Sequence, residues 1–318
     1  MQYFDDPAVA DALPYDALID ALDAAFRSDG RMPPRTHHVV DVPARPDATL
    51  LLMPAWQPGK ALGVKIATVF PDNAERGIAS VNAAYLLLDA KSGMALAVLD
   101  GAELTLRRTA AASALASRYL SRTDSAALLM IGTGNLAPHL IMAHASVRAI
   151  ERVMVWGRRP EAARAIADGL DLPGVTIECV ADIGDAMARA DIISAATLSR
   201  DPLIPGEQLK AGQHIDLVGA FTPEMREADD SALKRSDVYV DTIDGALAEA
   251  GEIIQALASG ALERNDIRAD LGQLCRGEHP GRQSADAITL FKSVGCSLED
   301  LAAAQLVRDR LSSPASLP

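Results

Sequence analysis

Apolar and polar positions change rhythm twice along the 318-residue chain. In residues 14–27 the apolar Ala17, Leu18, Ala21, Leu22, Ala25 and Phe26 recur at helical spacing with acids between them, which predicts an amphipathic helix. Residues 30–34, with one Gly and two Pro, break it. Short β-like runs follow at 49–53, 62–69, 84–88 and 95–99. Residues 104–120 are Ala-rich and free of Gly and Pro, so they predict one long helix leading out of this first region.

The texture then becomes strand, tight turn, helix, strand. Residues 126–131 are continuously apolar, 132–137 form a glycine turn and 138–149 a helix. Further strands are expected at 153–156, 175–180, 192–195, 215–218 and 238–240, with a helix at 161–168. Buried strands alternating with helices predict an α/β fold with a Rossmann-type doubly wound parallel sheet. Residues 312–318 read as a loose tail.

Composition narrows the partners. Thirty Lys and Arg against 43 Asp and Glu leave a net charge of −13, which repels nucleic acid and anionic membranes, and at 4% aromatics there is little to stack on bases. No apolar run approaches the roughly 20 residues of a membrane-spanning helix. The first residues carry acids where a signal peptide needs basic residues, so no secretion is expected. Cys179, Cys275 and Cys296 are odd in number and widely spaced, which suits thiols buried as core filler in a reducing cytoplasm.

The turn Gly132-Thr133-Gly134-Asn135-Leu136-Ala137 fits G-x-G-x-x-A. A strand-to-helix turn can need glycines for steric reasons alone. Between a buried strand and a helix, however, the first glycine permits the turn, the second lets N–H groups approach a pyrophosphate, and the small third residue allows close helix packing. At the end of the next strand a carboxylate that would bond a ribose 2′-OH is missing, and Gly157-Arg158-Arg159 stands there instead. Two guanidinium groups favour a 2′-phosphate, hence NADP(H), with NAD(H) possible; the alternative is that both arginines are solvated loop residues.

Lys65 shares a strand face with Gly63, Ala67 and Val69, where it either snorkels out or faces a cleft whose desolvation lowers its pKa. Arg35 follows a Pro-Pro breaker, and Arg107 and Arg108 lie in the long helix. Each arginine alone reads as a surface residue; together, beside a dinucleotide fold in an acidic chain, these cations suggest an anionic substrate, most simply a carboxylate. His37 and His38 are adjacent, and no zinc-binding spacing, nucleophile elbow or P-loop is present.

With those residues in view, the chain resembles the ornithine cyclodeaminase/mu-crystallin family. The resemblance is carried by Gly63-Val64-Lys65 with Phe70-Pro71-Asp72-Asn73, Arg108-Thr109-Ala110-Ala111, the Gly132 turn, Val218-Gly219 with Pro223 and Glu227, and residues 289–295. It implies a homodimer and a mixed α+β substrate-binding and dimerisation domain, residues 1–118 and 296–318, around a Rossmann NAD(P)-binding domain at 119–295. It also implies that Arg35, Lys65 and Arg108 hold a substrate carboxylate, with Lys65 catalytic. Cofactor contacts would come from Ser80, Thr109, Gly132, Thr133, Gly134, Asn135, Leu136, Arg158, Arg159, Ala195, Thr197 and Val294.

One departure is informative. Cyclodeaminases carry an aspartate two residues before the proline of the Val-Gly-x-x-x-Pro segment, and here that position is Phe221, which cannot accept a proton. The pattern therefore resembles the ketimine reductase branch. It implies NAD(P)H-dependent reduction of Δ1-pyrroline-2-carboxylate or Δ1-piperideine-2-carboxylate to L-proline or L-pipecolate. The competing readings are an ornithine cyclodeaminase, an alanine-type amino-acid dehydrogenase, and a non-enzymatic NADPH-dependent binder of mu-crystallin type.

Overall fold

The structure, a computed structural model, describes residues 1–312. By its internal contacts the chain forms two compact units, Met1–Thr109 with Cys296 onward, and Ala110–Gly295.

The first unit starts with β1 (Gln2–Phe4), α1 (Asp6–Ala12), α2 (Tyr15–Arg27) and β2 (Thr36–Val40). Next come β3 (Ala48–Gln57), β4 (Ala61–Val69), β5 (Val81–Leu88) and β6 (Ala95–Asp100). The sheet order is β1-β6-β5-β4-β3-β2, antiparallel throughout except where β1 runs parallel to β6. Strand period 2 sorts its two faces. On the inner face Ala55, Gly63, Lys65, Tyr85, Leu87 and Leu99 are buried. On the outer face Leu52, Val64, Leu86 and Val98 are partly open, with Ile66 40% and Trp56 36% exposed.

Helix α3 (Gly101–Leu120) carries the chain onward, and the division between units falls inside it, ahead of residue 118. Its register explains why two adjacent arginines have different fates. Arg107 bonds Glu103 one turn back, reaches the Leu13 carbonyl and lies over the Tyr15 ring, while Arg108 points into the buried interior.

The second unit is built on β7 (Ala127–Ile131), α4 (Leu136–Val147), β8 (Arg152–Trp156), α5 (Pro160–Gly169), β9 (Thr176–Cys179) and α6 (Ile183–Arg189). It continues through β10 (Ile192–Ala195), β11 (His214–Leu217), α7 (Asp230–Lys234), β12 (Asp237–Val240), α8 (Ile243–Glu249) and α9 (Gly251–Ser259). It closes with β13 (Ile267–Asp270), α10 (Leu271–Cys275) and β14 (Thr289–Lys292). All eight strands are parallel, in the order β13-β12-β14-β11-β10-β7-β8-β9. The chain runs outward from β7 to β9, then restarts on the other side at β10, so the switch point that binds ligands in such sheets lies between β7 and β10.

Finally α11 (Ser297–Ser312) returns to the first unit, where it packs on α2 and on the inner face of β3, β4 and β5. Its buried Leu298, Leu301 and Val307 contribute about 1.5–3 kcal/mol each.

Several expectations need adjusting. Helix α4 starts at Leu136 and ends at Val147, so its first turn takes over the end of the glycine segment. Ser312 belongs to α11, not to a loose tail, and the remainder of the expected tail lies outside the described residues. Cys275 and Cys296 are buried, but Cys179 on the edge strand β9 is only half-buried and so is not core filler.

Candidate active site

In the first unit, Lys65 does not snorkel. Its side chain is 4% exposed, and its ammonium donates to Asp300 at 2.9 Å. Arg108 Nε lies 3.0 Å from the same carboxylate, and Arg108 Nη1 bonds Glu299. Asp300 and Glu299 occupy the first turn of α11, where acids ordinarily just complement the helix dipole; here both are buried against cations. Arg35, half-buried just before β2, is near enough that its charge is felt at Lys65.

Burial, reinforced by the positive charge of Arg108, brings the Lys65 ammonium down to about 8, with Asp300 opposing. For Arg108, burial works against the charge, but Asp300 and Glu299 more than offset it and hold the guanidinium more firmly protonated. Opposite Lys65 in the sheet register stands Tyr85, fully buried, its hydroxyl without a hydrogen-bond partner among the described residues. Burial and the nearby Asp300 push that phenol well above its ordinary range. Gly63 makes room for it: a Cβ there would lie 2.3 Å from the Tyr85 hydroxyl. Ser80 and Thr109 are half-buried in the same unit, Ser80 with its carbonyl accepting from the Phe70 N–H at 2.8 Å.

In the second unit, the Gly132 turn sits at the switch point. Gly132 has φ +119°, and a Cβ on it would lie 2.5 Å from the Ala196 carbonyl just beyond β10. A Cβ on Gly134 would meet nothing within 4 Å, so the turn is open there. The Asn135 side chain makes no capping bond and the first turn of α4 holds no acid, which leaves that helix N-terminus open to an external anion. Thr133 packs against Gly157, where a Cβ would be 2.5 Å from its methyl group. Arg158 and Arg159, at the end of β8, are exposed. These features fit a dinucleotide: an open glycine cradle and a helix N-terminus without a side-chain cap.

At the same sheet edge Ala195 is buried, and Thr197 bonds Glu227 through its N–H and hydroxyl at 2.6 and 2.9 Å. Val294 and Gly295 donate their N–H groups to the buried Asp241 at 2.7 and 2.6 Å. Phe221 is 47% exposed.

One buried group imitates catalytic machinery without being it. Ser194 and His144 both bond Oδ2 of Asp216, at 2.7 and 3.2 Å, so the serine is not bonded to the histidine as nucleophilic activation requires. All three are fully buried.

Asp300, Glu299 and Tyr85 belong to none of the motifs or candidate cations of the sequence, and Glu227 and Lys292 figure there only within the segments that carry the family resemblance. The available signal was adjacent acids inside the otherwise apolar Leu298-to-Ala304 stretch, and a lysine closing the buried strand β14.

The model of the ornithine cyclodeaminase/mu-crystallin family matches residues 6–315. The Δ1-pyrroline-2-carboxylate reductase of Colwellia psychrerythraea is 38% identical over 304 residues, covering 94% of this chain and 96% of that protein. The structure of Thermococcus litoralis Δ1-pyrroline-2-carboxylate reductase in complex with NADH and L-proline superposes with a TM-score of 0.92 at 32% identity, covering 98% of each chain. An archaeal alanine dehydrogenase dimer with bound NAD has a TM-score of 0.90 at 29% identity, covering 98% of this chain and 96% of that one. By a family model that matches nearly its whole length, and by a relative 38% identical over 94% of it, this chain belongs to the ornithine cyclodeaminase/mu-crystallin family.

Proposed function

We propose that the chain is an NAD(P)H-dependent reductase of cyclic imine carboxylates, converting Δ1-pyrroline-2-carboxylate or its six-membered homologue Δ1-piperideine-2-carboxylate to L-proline or L-pipecolate. The observation that carries this reading is the cation cluster of the first unit. Arg35, Lys65 and Arg108 against Glu299 and Asp300 leave one positive charge, which suits a single substrate carboxylate. The relatives named for this reaction, and the one whose structure holds NADH and L-proline, support it.

In this reading Arg108 and Arg35 grip the carboxylate and Lys65 bonds it. With an ammonium that titrates near 8, Lys65 is also a usable proton donor. Reduction breaks the C=N π bond, forms C–H at the ring carbon bearing the carboxylate and N–H at the ring nitrogen, and so needs one hydride and one proton. When bound, the reduced nicotinamide supplies the hydride. Gly132, Thr133, Gly134, Asn135 and Leu136 would hold the pyrophosphate, while Ala195, Thr197 and Val294 would border the nicotinamide ribose and ring. Arg158 and Arg159 favour NADP(H), with NAD(H) also accepted; Ser80 and Thr109 keep the cofactor contacts that the family resemblance implies. Phe221 offers no base for amine attack, so ornithine cyclisation is not expected. The open apolar face of the first unit's sheet fits a second copy of this chain, a homodimer.

The likeness to an alanine dehydrogenase favours a second reading, reductive amination of a simple 2-oxo acid. A spectrophotometric screen separates them: NAD(P)H consumption with pyrroline- and piperideine-2-carboxylate against pyruvate plus ammonia. Faster turnover of pyruvate and ammonia overturns the proposal. Flat absorbance with every substrate, alongside a thermal shift with NADPH alone, makes the protein a binder.

A further inference from the structure

The buried carboxylate of Glu227 accepts three hydrogen bonds, and they converge from the sheet edge that the proposed cofactor would occupy. Thr197 gives it an N–H at 2.6 Å and a hydroxyl at 2.9 Å, both to Oε1, and Gly219 gives an N–H to Oε2 at 2.8 Å. Thr197 follows β10 and Gly219 follows β11, so one side chain ties two adjacent strand exits together at the C-terminal end of the sheet. The two segments touch so closely that a Cβ on Gly219 would lie 2.0 Å from the Thr197 carbonyl oxygen and 2.2 Å from its nitrogen. Behind Glu227, Glu252 on α9 accepts its backbone N–H at 2.7 Å, and Lys292 at the end of β14 lies 3.2 Å from Glu252. All three charged side chains are fully buried. Burying a carboxylate is costly unless it is paired and fully bonded, and here that arrangement orders two loop backbones at the ligand edge of the sheet.

We propose that Glu227 is a positioning residue for the nicotinamide end of the cofactor: it locks the Thr197 and Gly219 backbones into one rigid edge, with Glu252 holding its backbone N–H and Lys292 paired to Glu252 behind it. This deepens the reading of the second unit as the cofactor-binding one and rests on it. The clip is pH-sensitive. Burial, with Glu252 adding to it, lifts the Glu227 carboxyl to about 7, against the opposing pull of Lys292 and the N–H groups of Thr197 and Gly219. Above that pH the carboxylate accepts all three bonds; below it, the added proton removes acceptor capacity and the two exits loosen.

The test is a fluorescence titration of the full chain with NADH, which carries no 2′-phosphate to titrate, between about pH 6 and 8.5. For the wild type, Kd should fall as pH rises through 7. Glu227→Gln, which puts a donor against a donor, should raise Kd at the upper end by about ten-fold, the value of one lost charge-assisted hydrogen bond, and should flatten the pH dependence. Thr197→Val removes only the hydroxyl bond, serves if Glu227→Gln does not fold, and should weaken NADH by a smaller factor. A flat wild-type profile, or variants that bind NADH as the wild type does, overturns the proposal, because a clip that only stabilises the fold would shift Tm and leave Kd alone. If the wild type binds neither NADH nor NADPH at any pH, the cofactor reading of the second unit fails first and takes this proposal with it.

Discussion

Replacing Asp300 by Asn removes the one carboxylate that two buried cations share. Lys65 Nζ is 2.9 Å from it and Arg108 Nε 3.0 Å. At that separation, with an effective dielectric constant of about 20, each pair is worth roughly 5–6 kcal/mol before desolvation. Neither the lysine nor the aspartate is exposed enough for solvent to screen the loss, so breaking the set should cost the net value typical of a severed buried pair, about 3–5 kcal/mol. That is a large share of the roughly 5–15 kcal/mol that keeps a domain folded. Arg108 retains Glu299, so Lys65 bears most of the change. Asp300 is what opposes the downward pull of burial and Arg108 on the Lys65 ammonium, so without it Lys65 titrates below its present value of about 8. The sign follows: the protonated form that holds and protonates substrate exists below that pKa, so the basic limb of kcat/KM should lie near pH 8 in the wild type and move to lower pH in Asp300→Asn. Urea unfolding gives the stability term, and NAD(P)H oxidation with pyrroline-2-carboxylate across pH gives the limb. A variant with an unchanged urea midpoint and an unmoved basic limb would refute the assignment of Asp300 as the shared counter-charge.

Three further perturbations separate the roles. Lys65→Ala should lower turnover by about 100-fold or more, the range of general acid catalysis, with NADPH affinity intact; an unchanged rate removes Lys65 from the mechanism. Arg158→Ala should raise the Kd for NADPH by about ten-fold while barely moving NADH, as measured by fluorescence titration, and equal effects would return the side chain to solvent. Ile66→Arg places a charge in the middle of the open apolar sheet face and should turn a dimer into a monomer in sedimentation velocity; a wild type that sediments as a monomer ends that reading.

Which parts of this molecule could be read in advance follows from how local their causes are. The strands of the second unit declare themselves because a parallel strand buried on both faces is a continuous apolar run, as Ala127–Ile131 shows. Strand β2 does not: Thr36, His37 and His38 are exposed on an edge, and nothing in three polar residues marks a strand. Lys65 was legible as a cation on a small, apolar strand face, whereas Arg108 was marked as a ligand only by the family resemblance. Asp300 was not, because its partner Lys65 is 235 residues away, and an acid in the first turn of a helix already has a local explanation. Tyr85 escaped for a similar reason. It reads as an ordinary strand aromatic, and only the register that sets it opposite Lys65, with Gly63 leaving room for its hydroxyl, places it in the cluster.

The return of α11 to the first unit also sets a schedule for the growing chain. Arg108 and its partner Glu299 are separated by 191 residues, nearly all of them the second unit. At roughly 5–20 residues per second, a ribosome needs about 10–40 s to deliver the acids after the arginine has been made. During that interval the nascent first unit carries Lys65 and Arg108 without the carboxylates that make their burial tolerable, and its sheet lacks the helix that covers the inner face. The strands of the first unit, made before the second unit, are therefore among the last to reach their native packing, and a chain stalled before α11 presents an apolar sheet face with uncompensated positive charge set in it.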